Sequence, residues 1–204
     1  MYLRADWPAE LFSSGVTEDP FTQAAGATVT VPMMHAESTL RYASLDGYQA
    51  VEIPYADSQL AMVILLPSSG SPVGLLAPDK MHAALAAMRD QYIGLSLPKF
   101  DFASDLDLKP ALQALGLTDP FTPAADFSAI SPGLYVDQAV HRANITVDEW
   151  GTEAAAVTGI GMALAAPAAP AIRMVVDHPF AFAIVHTGTG VPLFMGTVFD
   201  PSAR

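Results

Sequence analysis

No group of side chains in this sequence has the spacing of a familiar catalytic device. There is no Gly-x-Ser-x-Gly turn, no His-Glu-x-x-His pair, no phosphate-binding glycine loop and no dense carboxylate cluster. Cysteine is absent, which removes a thiolate nucleophile, a thiolate zinc site and a disulfide framework together. His35 stands beside Met33 and Met34, but no second ligand is spaced to join it, so it reads as a strand-face histidine. No metal or cofactor is expected, and His82 is given no role. What stands out instead is Glu149-Trp-Gly-Thr-Glu-Ala-Ala-Ala-Val-Thr158, whose chemistry is that of a segment able to change its secondary structure.

Under the two-residue period of a strand, Thr152, Ala154, Ala156 and Thr158 share one face, while Glu153, Ala155 and Val157 share the other. The first face is small enough to slide between two existing strands without a large cavity or clash. Such a segment can stand outside as a loop and can also be taken up as an extra strand. Gly159 to Pro170 follows, with no charge, little bulk and neither a helical nor a strand period. A loop of roughly twenty residues is uncommon inside a compact domain and is usually functional or disordered. On composition alone, a stretch rich in Ala, Gly and Pro more often joins two domains.

The elements that must hold this segment are mostly strands. Ala143-Asn-Ile-Thr-Val-Asp148 leads into it, with Ile145 and Val147 alternating with polar residues. Met1 to Leu11 reads as a strand end and a turn, because Pro8 stops regular structure soon after Trp7. Val29, Val31, Met33 and then Leu40 suggest two strands between Thr28 and Tyr42, broken around Glu37-Ser38. Asp46-Gly47 signals a turn, with Tyr48 to Ile53 and Leu60 to Leu66 as paired strands, the second buried on both faces. Pro78 to Met88 is the clearest helix, its Met81, Leu85 and Met88 forming a core stripe. Leu95 to Phe100 resumes strand character, and Leu108 to Leu115 is a short helix ended by Gly116. Ile172 to Val176 is a strand, and Phe180 to Val185 with Val191 to Phe199 form a hairpin about Thr187-Gly-Thr-Gly190. Phe180, Phe182, Ile184, Leu193 and Phe194 supply core bulk.

The 204 residues suffice for a sizeable core, and with 51% hydrophobic and 15% charged residues the chain has the composition of a globular protein. A formal charge of -12 with nine Lys and Arg excludes nucleic acid as a partner class, because phosphate neutralisation needs a basic surface. No apolar run reaches the roughly twenty residues needed to cross a bilayer, so no membrane partner is expected. The opening, with Arg4 and Asp6, does not read as a signal peptide. The compartment is extracellular if a full-length form carries such a peptide and cytoplasmic otherwise.

Glu149-x-Gly151-Thr152-Glu153-Ala154-Ala155-Ala156-x-Thr158, then Asp177-His178-Pro179-Phe180, then Pro192-Leu-Phe-Met-Gly196-x-Val198-x-Asp200-Pro201 resemble the hinge and carboxyl-terminal signature of the serpins. Val31-Pro-Met-Met-His35, Leu117-Thr-Asp-Pro-Phe121 and Ala125-Asp-Phe-Ser128 also match that family. The fold class this implies is α+β and serpin-like, with mostly antiparallel sheets and few helices. Residues 1–204 are then the carboxyl-terminal portion of a single serpin domain, with a reactive loop at about residues 151–172. The resemblance begins at the strand ending in Trp7 and implies that the family's amino-terminal, largely helical half is absent. A fragment, a gene read from an internal Met, one piece of a larger molecule and a truncated relative all fit. Ala181 departs from the signature, where a larger apolar residue is usual, and predicts a small packing defect or a compensation.

The family resemblance also implies roles for single residues. Glu149, Gly151, Thr152, Glu153, Ala154, Ala155, Ala156, Val157 and Thr158 form the hinge. Trp7, Lys99, His141 and Glu149 would control opening of the central sheet. Leu95 to Phe100 resembles the family's next strand of that sheet, Lys99 and Glu149 match a family pair on neighbouring strands, and His141 matches a network residue whose partners come from the absent half. A serine protease, less commonly a cysteine protease, would attack the loop and form an acyl-enzyme. The cleaved loop would then enter the sheet and distort the enzyme before water releases it, driven by stored metastability.

The bond attacked in the family lies about fourteen residues beyond Gly151, roughly 45 Å of extended strand, which points to Ala165-Ala166. Counting back from Pro179 gives Ala168, Leu164-Ala165 is also in reach, and Pro167 disfavours a cut after Ala166. These residues are small or aliphatic, so an elastase-like or subtilisin-like pocket fits better than an acidic one. Two other readings stand beside inhibition. One is a non-inhibitory serpin acting as a binding or structural protein; bulky, charged or proline residues in the hinge would usually betray it, and they are absent from the small face of Thr152, Ala154, Ala156 and Thr158. The other is an inactive truncated fragment. An exposed edge on the shortened sheet, or the absent half, would also invite oligomers.

Overall fold

The computed structural model describes residue 3 and residues 5–56, 59–152 and 170–203. Along the chain run β1 Ala5–Asp6, β2 Val16–Thr22, β3 Thr28–Leu45, β4 Tyr48–Pro54, β5 Leu60–Pro67, α1 Pro78–Ala87, β6 Arg89–Pro98, β7 Phe100–Asp107, α2 Lys109–Ala114, β8 Val140–Asp148, β9 Gly151–Thr152, β10 Ile172–Val175, β11 Phe180–His186 and β12 Pro192–Val198. They fall into two compact units. One is Phe102–Ile145, and the other comprises the described residues of Leu3–Asp101 and Thr146–Arg204.

An eight-stranded sheet in the order β10-β6-β3-β4-β5-β11-β12, with β2 also on β3, forms most of the larger unit. Its centre is apolar on both faces: Ala61 to Leu66 of β5 are all buried, as are Phe180 to Val185 of β11. That is why these strands read as continuous hydrophobic runs rather than alternating ones. Asp46-Gly47 closes the β3–β4 hairpin, with Gly47 at φ 81° as its tight turn requires. Glu52, a charged residue buried in this sheet, is paired with its cross-strand neighbour Arg41, whose guanidinium also donates to Leu85 O at 2.9 Å.

Two differences from the sequence expectations have physical causes. The two strands expected between Thr28 and Tyr42 are one, with no break at Glu37-Ser38. Its partners change along its length, β2 from Thr28 to Met34 and β4 from Arg41 to Leu45, while β6 runs beside Met33 to Tyr42. The buried face therefore shifts and blurs the alternation. Leu193 is 40% exposed rather than in the core, because among the described residues β12 is the last strand of the sheet and is paired only with β11. Ala181, where a larger apolar residue is usual, is wholly buried in a cluster with Leu75, Met81, Ala84 and Met88.

The second sheet has four strands in the order β1-β9-β8-β7. Leu95 to Pro98 belong to β6 and hence to the larger sheet, so the expected central-sheet strand begins only at Phe100, after the crossover at Lys99. Thr146 Oγ1 donates to Asp101 Oδ1 at 2.9 Å where β8 and β7 lie side by side. In the smaller unit α2 follows β7 and is held by Leu108 N donating to Ala139 O at 2.6 Å and Lys109 Nζ to Asp137 O at 3.2 Å.

Candidate functional site

The site is built by the turn that closes β8. Asp148 Oδ1 accepts hydrogen bonds from the amides of Trp150 at 2.9 Å and Gly151 at 3.2 Å, a side-chain-to-backbone turn typical of aspartate. The chain reverses there, and Gly151 and Thr152 return antiparallel to β8 opposite Asp148 and Val147. On their other side they pair with β1, Gly151 opposite Asp6 and Thr152 opposite Ala5. The first two residues after the turn are therefore a strand already lodged between two others. Only glycine fits at 151: φ is +152°, and an added Cβ would stand 2.3 Å from Ala5 O and 2.7 Å from Asp6 Cα.

Trp7 locks this corner. Its indole Nε1 donates to Asp148 O at 2.8 Å and its amide donates to Trp150 O at 2.8 Å, so one residue holds both ends of the turn. The indole is 3% exposed and lies flat on Tyr55, with ring centroids 4.5 Å apart and planes at 5°. Phe12 meets it edge-on at 5.9 Å. The Tyr55 hydroxyl in turn meets Thr152 Oγ1 at 2.7 Å, either group being able to donate. Burial pushes the Tyr55 phenol well above its ordinary 10.0, against a smaller opposing effect of the Thr152 hydrogen bond, so it stays neutral at physiological pH.

Lys99 and Glu149 form the expected ion pair, although neither lies on a strand: Lys99 is the crossover between β6 and β7, and Glu149 sits in the turn between β8 and β9. Glu149 Oε2 is shielded from water and meets the Lys99 ammonium rather than any neutral donor. Burial alone would raise the Glu149 carboxyl, but the hydrogen bond and charge of Lys99 and the Glu149 amide outweigh it and hold the carboxyl below its ordinary 4.5.

Of the other predicted residues, His141 lies on β8 with its side chain exposed. Glu153, Ala154, Ala155, Ala156, Val157, Thr158, Leu164, Ala165, Ala166 and Ala168 lie outside the described residues. The chain is described again from Pro170, which is buried beside Gly94 of β6, its Cγ 3.2 Å from where a Cβ on Gly94 would be. Thr152 thus ends in the four-stranded sheet, and the described chain after Pro170 leads into β10 of the eight-stranded one. His35 is a strand-face histidine, with Nε2 2.7 Å from Thr17 Oγ1 and Nδ1 3.0 Å from Ser96 Oγ. Among the described residues, no three of His, Cys, Asp and Glu converge as a metal would require. No helix among them is long and apolar enough to cross a membrane.

Residues 1–201 match the family model described as Serpin (serine protease inhibitor). The chain belongs to the serpin family. It is 36% identical over 208 residues to an uncharacterized serpin-like protein of Thermococcus kodakarensis, which covers 98% of this serpin chain and 48% of the relative. A serpin from the trematode Schistosoma haematobium superposes with a TM-score of 0.85 at 25% identity, covering 98% of this chain and 55% of that one. Thyroxine-binding globulin in complex with thyroxine superposes with a TM-score of 0.83 at 25% identity, over 98% and 55% of the two chains. The chain spans about half the length of the curated relatives it matches. The fold is the serpin fold over that span.

Proposed function

We propose that the complete protein is a suicide-substrate inhibitor of serine proteases with elastase-like or subtilisin-like pockets. The observation that supports this best is the lodging of Gly151-Thr152 between Ala5-Asp6 and Val147-Asp148, because it sets the direction and register in which more of the loop would follow. In that register Glu153 would face Thr146, and each further residue would sit one position further back along β8. Thr152, Ala154, Ala156 and Thr158, all small, would then turn to the face on which Thr152 is buried.

The step begins when the protease serine oxygen adds to the scissile carbonyl and the peptide nitrogen leaves, protonated, with the carboxyl-terminal segment. Leu164, Ala165 and Ala168 are the candidates for the residue left as an ester on the enzyme, Ala166 being the leaving-side residue of the Ala165-Ala166 bond. Insertion of the freed strand would carry the enzyme away and spoil its oxyanion hole before water attacks. The trap is proposed of the complete protein, because this chain spans about half the length of the curated relatives it matches.

Likeness to thyroxine-binding globulin supports a second reading, a non-inhibitory binding protein on the same fold. Incubation of the complete protein with pancreatic elastase separates the two. Inhibition gives a covalent band that survives SDS, whereas a binding protein is merely cleaved. The isolated chain gives no band in the same assay.

A further inference from the structure

The hydroxyls of Tyr55 and Thr152 meet where neither reaches water, the two residues being 3% and 4% exposed. Tyr55 is held independently of β9: its ring is stacked on Trp7, its amide donates to Leu60 O at 3.1 Å, and the next amide, Ala56 N, donates to Asp6 O at 2.8 Å. Gly151 guards its own position only by excluding a Cβ there, without forming a side-chain bond, and the backbone pairing of β9 carries no side-chain information. Thr152 Oγ1 does carry it, as the polar side-chain atom of β9, and burying it without a partner is costly. A two-residue slip would bring Trp150 or Ala154 to that position, one far too large and one without a hydroxyl.

We propose that Tyr55 is the catch that fixes the resting depth and register of the hinge, through its hydroxyl bond to Thr152. This rests on the loop-insertion function proposed above and names a positioning residue for it. The catch holds Gly151 and Thr152 in place before cleavage, so insertion starts from one defined register. It also keeps the uncleaved hinge from withdrawing.

The test uses the intact chain without protease, following amide hydrogen exchange in residues 5–7 and 148–152 and Trp7 emission in a Trp150→Phe background. Tyr55→Phe keeps the stacked ring and removes only the hydroxyl, and Thr152→Val keeps the shape and removes the other. Each single variant speeds exchange about tenfold, the effect of one lost buried hydrogen bond, and the double variant is no faster than either. Thr152→Ser restores slow exchange. Unchanged exchange in Tyr55→Phe, or additive effects in the double variant, overturns the catch. An intact catch with no covalent band against elastase sinks inhibition alone, while a covalent band with unchanged exchange in Tyr55→Phe sinks the catch alone.

Discussion

Replacing Gly151 with alanine tests whether the two-residue strand is as tightly held as its contacts imply. A non-glycine residue in this left-handed region costs about 1–3 kcal/mol in backbone strain alone. The new methyl would also lie 2.3 Å from Ala5 O and 2.7 Å from Asp6 Cα, both backbone atoms that cannot rotate away. Ordinary contact needs roughly 1 Å more, and opening β1 from β9 by that much stretches their hydrogen bonds out of range, at about 1 kcal/mol each. The total of about 3–5 kcal/mol is comparable with what a few hydrogen bonds and one hydroxyl pair supply, so β9 spends much of its time out of the sheet. Because it can leave, the penalty is capped at its docking energy and global unfolding hardly registers it. The measurement is therefore local: hydrogen exchange at Asp6 and Thr152, and Trp7 emission with Trp150 replaced by Phe. Faster exchange and a red-shifted Trp7 are expected with a melting temperature nearly unchanged. If emission and exchange match those of the parent, β9 does not occupy the slot between β1 and β8, and the proposed register falls with it.

Thr152→Arg would place a guanidinium where 4% of the residue is exposed, so it should expel β9 in the same way. In the complete protein it should turn an inhibitor into a substrate, with elastase cleavage persisting and the covalent band disappearing. Lys99→Ala should cost about 1 kcal/mol at pH 7, seen as a melting temperature lower by roughly 2–4 °C. Because the Glu149 carboxyl is held below 4.5, that contribution is present above this value and is lost as pH falls through the lowered pKa. The gap between Lys99→Ala and the parent should therefore close on acidification, and a constant gap would deny the pair its role. Ala181→Ile should destabilise by about 1–3 kcal/mol in thermal unfolding, since the residue is wholly buried in a cluster with Leu75, Met81, Ala84 and Met88.

Much of this was legible because local rules and the fold agree. Ile145 and Val147 alternate as they should in a strand with one covered face, and Met81 and Met88 mark the covered side of α1. Gly151, singled out in the sequence, turns out to be required by close approach of β1 as well as by its φ, while Glu153 to Thr158 lie outside the described residues. Tyr55 was not legible at all. It follows Pro54 at the end of a strand, which suggests nothing beyond a turn, and its partner Thr152 lies 97 residues away. Lys99 was paired correctly but placed wrongly, because Leu95 to Phe100 reads as one strand while Lys99 is the step between two sheets. Periodicity reports which face is covered and says nothing about which sheet covers it.

The far side of the loop has a consequence for any cut between Thr152 and Pro170. Downstream, β10 runs parallel to β6, and β11 is hydrogen-bonded to β5 on one side and to β12 on the other. The carboxyl-terminal remnant is thus woven into the body of the protein instead of hanging from it. A nicked molecule is two polypeptides by mass yet one particle by size, and it takes a denaturant, not dilution, to part them.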